Sequence, residues 1–545
     1  MVQQLALFKC IWLNAVDRVR FFWICVVEPA PADSRDATKI HDPLETVLNF
    51  PWWLRAAALA LLLGAAGCST VQQPQTATLQ ADDAELGQCA RWYRALDLAV
   101  AQAGVTDIAA RRIAGFPYLR VDRFTAAFGD HVGSDARLRE AWIERMRSLD
   151  AKGRRVEIAN LPAEAVDRLG AGTRNELVSR TSECARKTAA AELSDEALRG
   201  LLRQRARVKD DYSAFKRTIG LYGVTSVPFA RGIDNWQRET TQTFSAARQG
   251  EAPAHPVIHY VPPAGHTMTR AEVSDVLAAA VSEPLGVPRL TVLQRDRLFA
   301  TYAPVLAIET AGAFDRIGRL FWSGALAPQV DLSAPTMYRN LAYTRLGNRT
   351  LLQLVYTVWM PERPNESGFD ILGGHLDGIV WRVTLASDGE PVLFDTIHPC
   401  GCYHMFFPTP RAIPVPPPQP YIEWAFSPAV LPEIGEQSRL VVSVRTRTHY
   451  LSNVWPAQKA EGVAYAFADY DELRTLPLPA GGSRSAFGPD GLVPGTERGE
   501  RYLFWPMGIA SAGAMRQWGS QPTAFVGRRH FDDADLIEKR FRLLE

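Results

Sequence analysis

Between residues 84 and 247 apolar positions recur at the helical period. Leu86, Cys89, Tyr93, Leu96 and Val100 share one face of a helix that Gly104 is placed to end. Ser134 reads as the cap of a helix carrying Leu138, Trp142 and Leu149. Thr173 and Glu176 read as a capping box ahead of a helix through Cys184, and another helix starts near Asp195. Helices are also expected around 210–220 and 232–246, with an aromatic-rich loop or short strand at 115–124 between the earlier ones. The polar stretch 249–256 marks a change of pattern. After it, strands are expected near 256–261, 289–293, 298–309, 336–345, 349–360, 378–386, 391–398, 421–427 and 438–449, with one helix at 269–282. In 378–386 Ile379, Trp381, Val383 and Leu385 face one way and Arg382 and Thr384 the other, and Ser387-Asp388-Gly389 turns the chain into a hairpin. Residues 411–420 form a stiff Pro-rich connector, and 471–500 read as a long loop. The expected fold class is α+β: an N-terminal α-helical domain, 84–248, followed by a larger β-rich, mainly antiparallel domain, 254–545.

The beginning of the chain is patterned differently. Residues 56–67 (AAALALLLGAAG) are unbroken apolar or small positions, preceded by Arg55 and followed by Cys68 and Ser69. A positive residue, a short apolar core and small residues before a cut are the parts of a secretory signal, and the run is shorter than the ~20 residues a membrane span needs. Leu63-Gly64-Ala65-Ala66-Gly67-Cys68 resembles the lipobox of bacterial lipoproteins, with Ala65 where that pattern prefers Leu. The resemblance covers roughly 47–70. It implies a diacylglyceryl group on the Cys68 thiol, cleavage just before it, and a membrane partner through the acyl chains. Ser69 implies sorting to the outer membrane, facing the periplasm. On this reading 1–46 are a gene-model extension, 47–67 the signal peptide and 68–83 a polar tether. The alternative is a buried helix at 54–67 of a cytosolic protein.

Composition adds limits. Of 545 residues 47% are hydrophobic, and 60 basic side chains face 59 acidic ones, a formal charge of +1 that argues against nucleic acid as a partner. After Cys68 only Cys89, Cys184, Cys400 and Cys402 remain, an even number that fits an oxidising compartment. Cys89 and Cys184, both on helical faces, are either a disulfide or two separate buried thiols.

No nucleophile elbow, His-Glu-x-x-His or phosphate-binding loop is present, and Ser213-Ala214-Phe215-Lys216 reads as a solvated helix face. The dense cluster is His398-Pro399-Cys400-Gly401-Cys402-Tyr403-His404, with His375, Asp377 and Asp395 upstream. Its imidazoles and thiols suit zinc or copper. On a straight strand, however, the four ligands would span about 20 Å, so one ion needs a sharp bend, which Pro399 and Gly401 permit. Three readings stand: a metal site, a strained redox-active Cys400–Cys402 disulfide, or structural thiols with hydrogen-bonded imidazoles. Arg528 to Asp533 read as a surface ion-pair network, with an anion clamp as the alternative. A binding or assembly role at the envelope, with a protein, glycan or lipid partner, leads over a metal-dependent or thiol-redox enzyme using 398–404.

Overall fold

The computed structural model describes residues 84–544 apart from 134, 171, 266, 280–282, 369 and 459. The leader, Cys68, the tether and the Ser134 cap lie outside the described residues. Ahead of the Ala136–Asn160 helix it is Asp135 whose carboxylate accepts from the Leu138 N–H. The helical period is realised: helix Ala84–Ala103 buries Cys89, Tyr93, Leu96 and Val100, and Gly104 follows it at φ +64°. Thr173 and Glu176 form a capping box on helix Arg174–Glu192, and Asp195 caps Glu196–Arg205. A disulfide joins Cys89 to Cys184 with Cα atoms 5.2 Å apart, pinning the first helix to Arg174–Glu192. The 115–124 segment supplies strand Phe116–Val121, paired with Arg111–Ile113. Its Arg120 is fully buried but held by Asp150 at 3.0 Å and Glu157 at 2.8 Å, as a buried charge must be.

Past 254 the chain is mainly antiparallel sheet, so the class is α+β. One six-stranded sheet runs in the order Met405–Pro408, Pro391–Ile397, Gly374–Leu385, Arg349–Arg363, Thr336–Leu346, Ala466–Asp469. A five-stranded sheet has Val305–Glu309 at its centre, between Arg439–Val444 and Val257–Val261. Their facing sides enclose the larger core, with Ile308, Val442, Tyr356, Trp381 and Phe407. The 27-residue helix Tyr222–Arg248 lies against this core through Phe244 and Trp236. The described residues form one compact unit. Among the described residues no helix is long and apolar enough to cross a membrane.

Three expected strands are different in the structure. Thr291 and Gln294 form a capping box and start helix Val292–Tyr302, so 289–293 is not a strand. Of 298–309 only Val305–Glu309 is extended, because Leu298 and Phe299 reach the core from that helix. Residues 421–427 form no ladder; Phe406 N–H donates to the Phe426 carbonyl and Glu423 N–H to the Val526 carbonyl as single contacts. Strand Gly374–Leu385 alternates as read, but its second face is also covered. Arg382 lies under Phe531, its guanidinium carbon 3.8 Å from the ring centroid, because the C-terminal segment folds back over the sheet.

Candidate functional site

The segment 398–404 bends sharply. His398 N–H donates to the Cys402 carbonyl at 3.0 Å and Gly401 N–H to the His398 carbonyl at 2.8 Å. Gly401 sits at φ +96°, where a Cβ would also collide with the Pro522 backbone. The bend returns the chain as strand Met405–Pro408, with Met405 opposite Thr396. It does not gather the four side chains round one point. Among the described residues no three His, Cys, Asp or Glu side chains are arranged to hold a metal ion. His375 Nε2 is 2.7 Å from the Pro328 carbonyl oxygen. Cys400 and Cys402 are both free thiols, with Cys402 N–H donating to Cys400 Sγ. The hydrogen bond with Cys400, and then burial, push the Cys402 thiol well above its usual range.

The two histidines go to different carboxylates. His404 Nε2 is 3.0 Å from Asp395 Oδ2, and Asp395 is gripped by both ends of the Arg382 guanidinium. Nε2 therefore carries the proton, and Nδ1, the basic nitrogen, is buried without a hydrogen-bond partner. Burial pulls His404 down to about 3, so the ring is neutral at pH 7.

His398 Nδ1 lies 3.0 Å from Asp377 Oδ1. The other oxygen of Asp377 is 2.9 Å from His449 Nδ1, and His449 Nε2 is 3.3 Å from Asp315 Oδ1. Asp315 also accepts from the Thr446 hydroxyl and the Arg447 N–H. The result is a buried alternating chain, His398–Asp377–His449–Asp315. Burial works against charge on Asp377, but His398 and Arg498, whose Nη2 is 3.7 Å away, hold its carboxyl well below the usual range. Burial also opposes charge on His449, yet its two carboxylate partners raise it. His398 is lowered, burial outweighing Asp377.

Local backbone is bent to make this chain. Leu376, Tyr403, Arg447 and His449 all take positive φ, between 53° and 65°, a conformation that costs a non-glycine residue of order 1 kcal/mol or more. Gly378 lets the neighbouring strand and Pro399 close in, since a Cβ there would meet the Val358 carbonyl.

Beside the chain lies a cavity of about 440 Å³. Phe229, Ile233, Trp236, Phe426, Phe504 and Phe525 form its apolar wall, and Tyr403, His404, Tyr450, Glu423 and Glu500 its polar side. The His398 ring packs edge-on against Tyr403, centroids 4.9 Å apart, and Tyr403 against Tyr450 at 4.5 Å. Glu423 accepts from the Phe525 and Val526 N–H groups. Glu500 is different. It is 3% exposed, and among the described residues nothing donates a hydrogen bond to its carboxylate. Burial pushes it up to about 7, against the pull of Arg498 and Arg363. Gly513, at φ +83°, leaves the space that the Glu500 carboxylate occupies.

Sequence reasoning located His398, His404, Cys402 and Asp377 but missed Glu500, Tyr450, Trp236 and Asp315. These come from segments far apart in the chain, and no local spacing announces them. The Arg528–Asp533 segment is an ion-pair network, with Arg528 bound to Asp210 and His530 beside Asp211 and Asp533, but Arg529 and His530 are buried rather than on the surface. No family model, no curated protein and no solved structure matches this chain.

Proposed function

We propose that the chain is an envelope lipoprotein, held to the outer membrane through acylated Cys68, that binds a small amphipathic molecule in its β core. The apolar body of the ligand lies against Trp236, Phe426 and Phe504, and its polar head against Glu500 and His404. The observation that carries this is the pairing of an aromatic cavity with two buried polar atoms of its lining residues, His404 Nδ1 and Trp236 Nε1, that have no hydrogen-bond partner among the described residues. Buried polar groups are almost always satisfied, so two orphans on one cavity call for an outside partner. The lipobox-like segment ending at Cys68 supports the anchor, and the Cys89–Cys184 disulfide agrees with an oxidising compartment. A thiol-redox enzyme would need a Cys402 thiolate, which the raised pKa of that thiol opposes.

The test is a fluorescence titration of the full chain with N-phenyl-1-naphthylamine, an apolar probe with one polar N–H. Saturable binding is expected. Gly232→Trp, on the cavity wall where a Cβ meets nothing within 4 Å, should weaken it at least about tenfold, ~1.4 kcal/mol, with unchanged circular dichroism. Absence of saturable binding would end the ligand reading. Metabolic labelling with palmitate, lost in Cys68→Ser, tests the anchor.

A further inference from the structure

Eight of the eighteen large apolar side chains that face solvent among the described residues come from two neighbouring segments. Phe215 and Ile219 on helix Ala214–Ile219 are 72% and 54% exposed, Leu221 and Val224 at the start of helix Tyr222–Arg248 are 67% and 72% exposed, and Tyr502 is 68% exposed. Val227, Leu503 and Trp505 extend the same surface. These segments are packed together. Ser213 N–H donates to the Gly508 carbonyl, Arg217 Nε to the Met507 carbonyl, and Gly220 touches Pro506 so closely that a Cβ would clash. Phe229 and Phe504, 5.1 Å apart, belong both to this region and to the cavity wall, so the patch runs up to the cavity rim. Scattered exposed apolar residues need no explanation, but a contiguous patch marks a surface that something covers.

Charge and aromatic type say what covers it. A notch of about 490 Å³ in the patch is lined by Lys216, Arg501, Tyr502, Trp505, Ile509 and Ser511, with two cations and no carboxylate. Tyr and Trp beside Lys and Arg, next to bare aliphatic side chains, is the composition of a surface that sits at the boundary between phosphate headgroups and acyl chains. Basic side chains there are drawn to an anionic leaflet. The chain outside the described residues fits the same partner. Fifteen residues separate Cys68 from Ala84, a contour of at most ~58 Å, which keeps the folded part close to any bilayer that holds Cys68.

We infer that the patch formed by residues 215–227 and 502–505 docks on the surface of an anionic phospholipid bilayer, so that the cavity rim opens against the lipid. This rests on the proposed reading for the nature of the ligand, a molecule drawn from the membrane, but the docking itself stands on the patch and the notch.

The experiment uses the full chain reconstituted into vesicles of phosphatidylethanolamine and phosphatidylglycerol carrying doxyl-labelled acyl chains. A bimane fluorophore is attached at Val224→Cys, or at Leu293→Cys, an exposed position outside the patch. The unsubstituted protein gives the background from Cys400 and Cys402. Doxyl lipid should quench the bimane at 224 at least twofold more than at 293. Adding Leu221→Asp and Val227→Asp should abolish the difference, as should vesicles of phosphatidylcholine in high salt. Equal quenching at 224 and 293 in protein that still sediments with vesicles would overturn the docking and leave the anchor intact. Failure to attach to vesicles at all would overturn both docking and anchor. A dimer in which 224 is shielded from doxyl lipid would assign the face to a second copy instead. Loss of naphthylamine binding alone would remove the ligand reading without touching the docking.

Discussion

At residue scale the cavity's acid is the most telling group. Glu500 is raised from 4.5 to about 7 by burial. Between those two pH values the unfolded chain releases a proton that the folded protein keeps, so stability is full below about 4.5 and falls as pH rises through 7. The loss is on the order of 3 kcal/mol, from a shift of about 2.5 units at ~1.4 kcal/mol each. Glu500→Gln should remove that slope, and denaturant melts at pH 5 and pH 8 should then differ less than in the unsubstituted protein. An unchanged difference would show that Glu500 keeps a solvated carboxylate. Asp377 works in the opposite sense. Its carboxyl is held low, so its contribution is present at neutral pH and is lost as pH falls through the folded value. His449, raised by its two carboxylates, contributes below its unfolded pKa and loses that contribution as pH rises through the folded one. Removing the shared carboxylate in Asp377→Ala takes a buried anionic partner from His398, His449 and Arg498 together and should cost about 3–5 kcal/mol, read from the denaturation midpoint. A loss under about 1 kcal/mol would mean that water replaces the carboxylate at little cost.

At element scale the sequence was legible where local chemistry decides. The capping box at Thr173, the cap at Asp195 and the Ser387-Asp388-Gly389 turn all act within four residues, and the structure uses each. The Thr291–Gln294 box was equally local, but the apolar run after it matched either period and was read as strand. The bend at 398–404 was visible only as a permission from Pro399 and Gly401. Which carboxylate each histidine would meet depended on the strand register, Asp395 opposite Arg382 and Phe406, and on His449 arriving from elsewhere in the chain. The disulfide is an element-scale device, since it ties helix Ala84–Ala103 to Arg174–Glu192 across 95 residues of chain. Cross-linking a loop of that length restricts the unfolded state by about 4–5 kcal/mol in the chain-entropy model. Cys89→Ala with Cys184→Ala should therefore lower the denaturation midpoint by a comparable free energy. Helical circular dichroism in water should be unchanged, because Trp92, Tyr93 and Leu96 still hold the first helix in its core. Loss of helix signal would show instead that packing alone cannot retain it.

At the scale of the whole molecule, the helical and β regions have two distinct hydrophobic cores, joined by Tyr343, which packs against both, and by buried polar contacts. Residues 471–500, which read as a long loop from their Gly, Pro and charge content, carry much of that joint. Arg474 forms a two-pronged ion pair with Asp107, at 2.9 and 2.7 Å, and its carbonyl accepts from the Asn160 side chain. Asp107 in turn lies against Arg120, whose partners Asp150 and Glu157 belong to helix Ala136–Asn160. Composition could not reveal this, because a buried Arg and a surface Arg are the same letter and differ only in what comes to meet them. Burying Arg474 and Asp107 together is tolerable, whereas leaving Asp107 half-paired is expensive. Arg474→Ala should thus cost about 3–5 kcal/mol, felt on both sides of the joint. In the unsubstituted protein, signals from Trp142 in the helical core and Trp381 in the sheet core should change at one denaturant concentration, as expected for one cooperative unit. In Arg474→Ala both midpoints should fall, and any separation between them measures how much cooperativity passes through this ion pair. A variant in which only the Trp142 signal moves, with the sheet untouched, would show that the two cores are stabilised independently and that the buried charges join them without coupling them.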